Sequence, residues 1–170
     1  MQTERDKDKL LKLILENKGI ILKICNSYCQ DRIDREDLAQ EIIIQLWKSG
    51  KNFNPDFKFT TWMYRVVLNV AISFYRKGST WNKTIPLAGN HLHLSESAGC
   101  NTQLDEESNI LQRHISHLKD LDKALILLYF EEKSYKEIAE IMGISETNVA
   151  TKVSRIKERL KQNIDKEKNK

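Results

Sequence analysis

Between residues 148 and 159 the sequence places Asn148, Thr151, Lys152, Ser154, Arg155 and Arg159, with Lys157 among them. An amide and hydroxyls near the start of such a run suit hydrogen bonding to base edges. Ammonium and guanidinium groups further along suit phosphate. Bond-breaking chemistry has no comparable signal. No nucleophile with a base, phosphate-cradling glycine loop or paired catalytic carboxylates stands out, which favours binding over catalysis. His91 and His93, or His114 and His117 with Cys100, leave a zinc ligand set incomplete. Cys25 and Cys29, four apart, suit small core residues. Neither a cofactor nor a metal is expected.

The elements holding this polar run can be read locally. In SYKEIAEIMGISETNVATKVSRIKERL, Ser134 and Glu137 have capping-box spacing, so each side chain can satisfy a backbone donor of the other. A helix is expected over 135–142, burying Ile138, Ala139 and Met142. Gly143 then suits a left-handed turn, and Ser145 caps the next helix. Val149, Val153, Ile156 and Leu160 recur at spacings of four, three and four, the buried stripe of that helix. The bland reading is a helical hairpin with a solvated charged face. The two caps, the small Ala139, Gly143 and the apolar stripe together favour a helix-turn-helix that lays its second helix in a major groove.

Upstream, helical periodicity predicts segments over 8–29, weakened at Gly19, over 35–48 behind an Asp34 cap, and from Thr60 or Thr61 to Lys77, stopped by Gly78. Leu38, Ile42 and Leu46 should line one stripe, widened by Ala39, Ile43 and Trp47. Residues 79–103 lose periodicity and read as a linker. Helices resume from Asp105 to about Lys119 and over 121–132, with Leu121, Leu125, Leu128 and Tyr129 inward. With six glycines, two prolines and no alternating strand pattern, the expected fold is all-α. It comprises two small helical domains, 5–78 and 104–163, joined by a flexible linker, the second carrying the helix-turn-helix. No apolar run is long enough for a membrane span, and the charged first residues do not suit a signal peptide, so a cytoplasmic protein without membrane insertion is expected.

Charge is distributed unevenly. Residues 51–83 hold six Lys/Arg against one Asp, and residues 145–162 hold five against two acidic residues. Residues 104–142 hold nine acidic against five basic residues. Two basic segments separated by an acidic one suggest two separate contacts with a polyanion.

DREDLAQEIIIQLWKS at 34–49 and FKFTTWMYRVVLNVAISFYRKGS at 57–79 resemble the second conserved region of bacterial RNA polymerase sigma factors. The carboxy-terminal module resembles their fourth region, and order and spacing are similar to the extracytoplasmic-function group. The resemblance implies that Asp37, Gln40 and Glu41 bind core RNA polymerase. It places Asn69 where a base extruded from the minus-ten element is read, and the loop from Phe53 to Phe59, with Phe57 and Lys58, where that base finds a pocket. Arg76 and Lys77 would contact the backbone, and Trp62 reads either as core or as part of this surface. Asn148, Thr151, Lys152, Ser154, Arg155, Lys157 and Arg159 would meet the minus-thirty-five element as duplex. Implied partners are core polymerase, promoter DNA and an anti-sigma factor, the free protein being a monomer. Ser73 and Ala150 depart from common family residues at positions that bear on promoter choice. The rival is a stand-alone helix-turn-helix regulator, which would have no need of core polymerase.

Overall fold

The computed structural model describes residues 4–81 and 102–169, and within them all the regular elements are helical. They are α1 (Glu4–Glu16), α2 (Lys18–Tyr28), α3 (Arg32–Ser49), a short 3-10 turn (Gly50–Asn52), α4 (Phe59–Trp81), α5 (Thr102–Ser116), α6 (Asp120–Phe130), α7 (Tyr135–Met142) and α8 (Glu146–Lys168). The fold is all-α, built as two helical domains. Most of the expected linker, residues 82–101, lies outside the described residues.

The first domain is organised by one row on α3. Leu38, Ile42 and Leu46, four apart, are each 0% exposed, and they pack with Met63, Val67, Leu68, Ala71 and Ile72 of α4. Ile21, Ile24, Cys25 and Tyr28 of α2 close the core. Several boundaries differ from the sequence reading. The first helix breaks at Asn17, not Gly19, and the Asn17 side chain donates to the Leu13 carbonyl at 2.8 Å. Asp31, not Asp34, caps α3, accepting from the backbone N–H groups of Ile33 and Asp34. Helix α4 continues through Gly78 to Trp81. A helical glycine costs about 1 kcal/mol but does not by itself end a helix. Ile43 and Trp47, expected to widen the buried stripe, are exposed.

In the second domain the local signals hold. Ser134 and Glu137 form the reciprocal capping box, Gly143 adopts φ 68°, and Ser145 accepts from the Asn148 N–H. Val149, Val153, Ile156 and Leu160 are all buried. Leu121 points outward, while Ala124, Leu125, Ile126 and Leu128 carry the α6 core. Helix α8 extends past residue 163 to Lys168, where Glu167 accepts from Arg113 at 2.6 Å and pairs with His114 at 2.8 Å on α5. Helices α6 and α7 also pack against α4, so the two domains meet. Among the described residues no helix is long and apolar enough to cross a membrane.

Gly143 supplies the corner of the helix-turn-helix by its backbone. A Cβ there would have its nearest neighbour, the Arg65 Nη2, at an ordinary 3.8 Å, so strain rather than collision opposes a side chain. Gly143→Ala is expected to lower stability by about 1–2 kcal/mol, the cost of a left-handed L-residue. Urea unfolding followed by circular dichroism measures this.

Candidate nucleic-acid interface

Helix α8 turns its buried stripe inward, which forces the polar residues out. Asn148, Thr151, Lys152, Ser154, Arg155, Lys157 and Arg159 are all exposed. Asn148, Lys152, Arg155 and Arg159 are spaced four, three and four, so they form one row along the helix. Some are already engaged inside the domain. Lys157 donates to the Tyr129 hydroxyl at 3.0 Å with its ammonium 4.7 Å from that ring's centroid, and Arg159 lies 3.7 Å from Asp122. The Thr151 hydroxyl donates back to the Thr147 carbonyl at 3.0 Å. Asn148, Lys152 and Arg155 are thus the members of the row directed towards a partner.

The second constellation is a groove between α3 and α4. Asp37, Gln40 and Glu41 form one wall, and Asn69, Ser73 and Lys77 form the other. The leucine-isoleucine row of α3 buries itself against α4, so the residues beside that row are carried to the groove's lip. Arg76 lies seven residues after Asn69, two helical turns along nearly the same face. Asp37, Gln40, Glu41 and Asn69 are all exposed, and the Gln45 side chain donates to Glu41 at 3.0 Å. Sequence reasoning missed Ile44, which also lines the groove, and the exposed Ile43 and Trp47 nearby. Their signal was present as III at 42–44, because a helix can bury only part of three consecutive apolar residues on one face.

Before α4 the chain makes an aromatic cluster. Phe53 lies 5.5 Å from Phe59 and 5.1 Å from Trp62, ring centroid to ring centroid, and Phe59 lies 5.3 Å from Trp62. All three are half-buried, so Trp62 both packs and presents an edge. Phe57, at the loop's tip, is 66% exposed and stands apart from this cluster. Lys58 beside it is exposed but lies 3.3 Å from Glu137 of the second domain. Arg76 likewise pairs with Asp120. The two basic residues expected to meet DNA therefore already face carboxylates.

The comparisons with known proteins agree with both halves of this architecture. Residues 13–80 match the sequence model for sigma-70 region 2, and residues 108–160 match that for sigma-70 region 4. The RNA polymerase sigma-H factor of Pseudomonas aeruginosa is 30% identical, over 86% of this chain and 81% of its own length. The chain belongs to the extracytoplasmic-function group of the sigma-70 family. The ECF RNA polymerase sigma factor SigW of Bacillus subtilis is 29% identical over 94% of this chain and 90% of that one. Among solved structures, the sigma factor RpoE of Bartonella quintana, in complex with the anti-sigma factor NepR, superposes with a TM-score of 0.69. That alignment covers 94% of this chain and 98% of RpoE at 20% identity, a likeness of fold. Two family regions in this order favour a sigma factor over a stand-alone regulator.

In this sigma factor the two departures occupy different settings. Ser73 lies in the groove beside Asn69, and Ala150 is half-buried on α8. The remaining polar signals have structural uses. Besides His114 on Glu167, the His117 ring approaches the Arg113 carbonyl at 2.6 Å. Cys25 and Cys29 are buried, and burial pushes each thiol up to about 11, so both stay protonated at neutral pH. Sequence reasoning also missed Lys123, which is 2% exposed and lies between the rings of Tyr28 and Tyr75. Burial lowers its pKa, with Cys29 and Asp120 opposing that shift.

The difference between the directed and the engaged residues of α8 has a measurable consequence. Arg155→Ala is expected to weaken binding to a preferred upstream duplex by about 1–3 kcal/mol and to relax base choice at one position. Lys152→Ala should weaken all duplexes alike and reduce the slope of log affinity against log salt by about one. Fluorescence anisotropy over a salt series, using the polymerase holoenzyme, separates the two.

Proposed function

We propose that this sigma factor attaches to core RNA polymerase through Asp37, Gln40 and Glu41 and reads its promoter with two chemically different surfaces. Sigma factors bind core polymerase and direct promoter-specific initiation, and this chain carries both regions that such factors use. The supporting observation is the α3–α4 groove, whose opposite walls carry the three core-binding candidates and Asn69. A residue on that ridge can act on a DNA strand immediately beside the polymerase surface. The domain covering 5–78 serves core polymerase and the minus-ten element, residues 79–103 are the linker, and 104–163 serve the minus-thirty-five element. The protein binds and positions and has no catalytic step of its own. It works in the cytoplasm, where its polymerase is, as a monomer when free.

Helix α8 meets the upstream element as duplex, through Asn148, Thr151, Ser154 and Arg155 at bases and Lys152, Lys157 and Arg159 at phosphates. The downstream element is met as a melted strand. Asn69 reads an extruded base, the Phe53–Phe59 loop with Phe57 and Lys58 receives it, and Arg76 and Lys77 hold the backbone. Extruding a base costs a few kcal/mol of unstacking, which aromatic and basic neighbours offset. CnrH and RpoE, the sigma factors of similar fold, were each solved with another protein, CnrY and the anti-sigma factor NepR respectively. An anti-sigma factor is accordingly an expected partner here.

In vitro transcription with purified core polymerase on genomic fragments tests the activity and maps the promoter. Joint replacement of Asp37, Gln40 and Glu41 by Ala should preserve the helix, since Ala is a strong helix former, while retention of core polymerase in a pull-down falls sharply. Unchanged retention would remove the core-binding assignment. Asn69→Ala should impair open-complex formation on a closed promoter, and less so on one whose downstream element is already mismatched. Permanganate footprinting on the two templates reads this. Equal defects on both, or none, would refute the role given to Asn69.

A further inference from the structure

The contacts between the domains fall on the residues that the downstream strand needs. Asp120, at the start of α6, pairs with Arg76, and its backbone carbonyl accepts from the Tyr28 hydroxyl at 2.7 Å. Glu137 of α7 lies 3.3 Å from Lys58. Glu131 accepts from Lys23 at 2.7 Å and from the Tyr64 hydroxyl at 3.3 Å, and Lys133 lies over the Tyr64 ring. The acidic stretch of the second domain therefore covers the basic stretch of the first. Helix α8's outward row and the Asp37–Gln40–Glu41 wall remain exposed. At the centre of the contact lies Lys123, its ammonium 5.2 Å and 5.1 Å from the ring centroids of Tyr28 and Tyr75.

We infer that the second domain is an internal competitor for the downstream-strand surface, with Asp120 and Glu137 standing where phosphates would bind and Lys123 acting as the latch. The inference rests on the reading of Arg76 and Lys58 as strand contacts. A carboxylate and a phosphate are alternative partners for one guanidinium or ammonium, so strand binding and closure exclude each other at these positions. The latch suits reversal. A buried ammonium gains from two aromatic faces but forgoes hydration, and it recovers that hydration when the domains part. A purely apolar contact would hold the chain closed without this return. The free chain can thus present its duplex-reading helix and its core-binding wall while keeping the strand surface covered until the domains separate.

Lys123→Glu and Lys123→Met test this in the full chain. The carboxylate of Lys123→Glu would face two aromatic rings and Asp120, so the domains should part. Small-angle scattering should then show a larger radius of gyration, with helix content unchanged by circular dichroism. Affinity for a fluorescein-labelled single-stranded oligo(dT) of about 12 nucleotides should rise at least about fivefold, the low end of the usual coupling between two states. This rise opposes simple electrostatics, since the substitution makes the chain more negative. Lys123→Met, apolar and similar in length, should stay compact and bind the oligonucleotide less well than the parent. Glu131→Lys should open the chain, and adding Lys23→Glu, which restores an exchanged pair at the parent's net charge, should return it to compactness and weak binding. That charge-exchange series keeps the test decisive should Lys123→Glu fail to fold. A compact Lys123→Glu chain, or an open one with unchanged affinity, overturns the proposal. A rise that survives Arg76→Ala and Lys58→Ala also overturns it, and locates the error in the assignment of the strand surface rather than in closure, which scattering reports separately.

Discussion

Helix α4 has to satisfy three neighbours within 23 residues. Successive side chains project about 100° apart, so a helix of this length offers several continuous faces and no more. Met63, Val67, Leu68, Ala71 and Ile72 take the face buried in the first domain. Val70, Ser73, Phe74 and Lys77 take the face that walls the groove. Tyr64, Tyr75 and Arg76 reach towards the second domain. Because one rod carries all three sets, the packing of α3 on α4 fixes where Asn69 stands relative to Asp37 and also where Arg76 meets Asp120. A close-packed core resists small displacements, so a change at Leu38 or Ala71 would be felt at the groove and at the domain contact together.

The features legible in the sequence are those set by neighbours within about one turn. The Ser134–Glu137 box, Gly143 and the Val149–Leu160 stripe needed no knowledge of the rest of the chain, and each stands where local spacing put it. Motif order likewise made the family readable before any geometry. Errors arose where two local signals competed. Asn17 and Gly19 both weaken the first helical segment, and the asparagine, able to hydrogen-bond back to Leu13, marks the break. Ile43 and Trp47 read as core because apolar residues on a helix normally belong there, yet the buried row needs only Leu38, Ile42 and Leu46. An apolar edge left over after the core is complete fits a helix whose work is to dock on another protein.

The domain contact was not legible, for a physical reason. Its pairs join residues as far apart in sequence as Lys23 and Glu131, and its centre is a lysine, a residue normally assigned to the surface. One signal did exist. ALILLYF at 124–130 is apolar on nearly every side, and a helix of that kind is covered from more than one direction. The second domain alone covers the face towards α7 and α8. What remained uncovered had to meet something else, and in this structure it is the first domain.

Promoter geometry sets a condition on how strong that contact can be. Elements about 25 base pairs apart on straight duplex, at about 3.4 Å each, are separated by about 85 Å. A compact chain of 170 residues has a radius of gyration of about 16 Å, hence a diameter of about 40 Å. The closed chain therefore cannot occupy both elements at once, and promoter binding must supply the free energy that parts the domains. An interface with a large apolar core would take that free energy from promoter affinity at every site. Ion pairs at half-exposed side chains contribute little each, typically 0–1 kcal/mol, and weaken as salt rises. Such contacts can orient the second domain on α4 without committing the chain to the closed form, and the strand's own phosphates can replace Asp120 and Glu137 at Arg76 and Lys58 as it arrives.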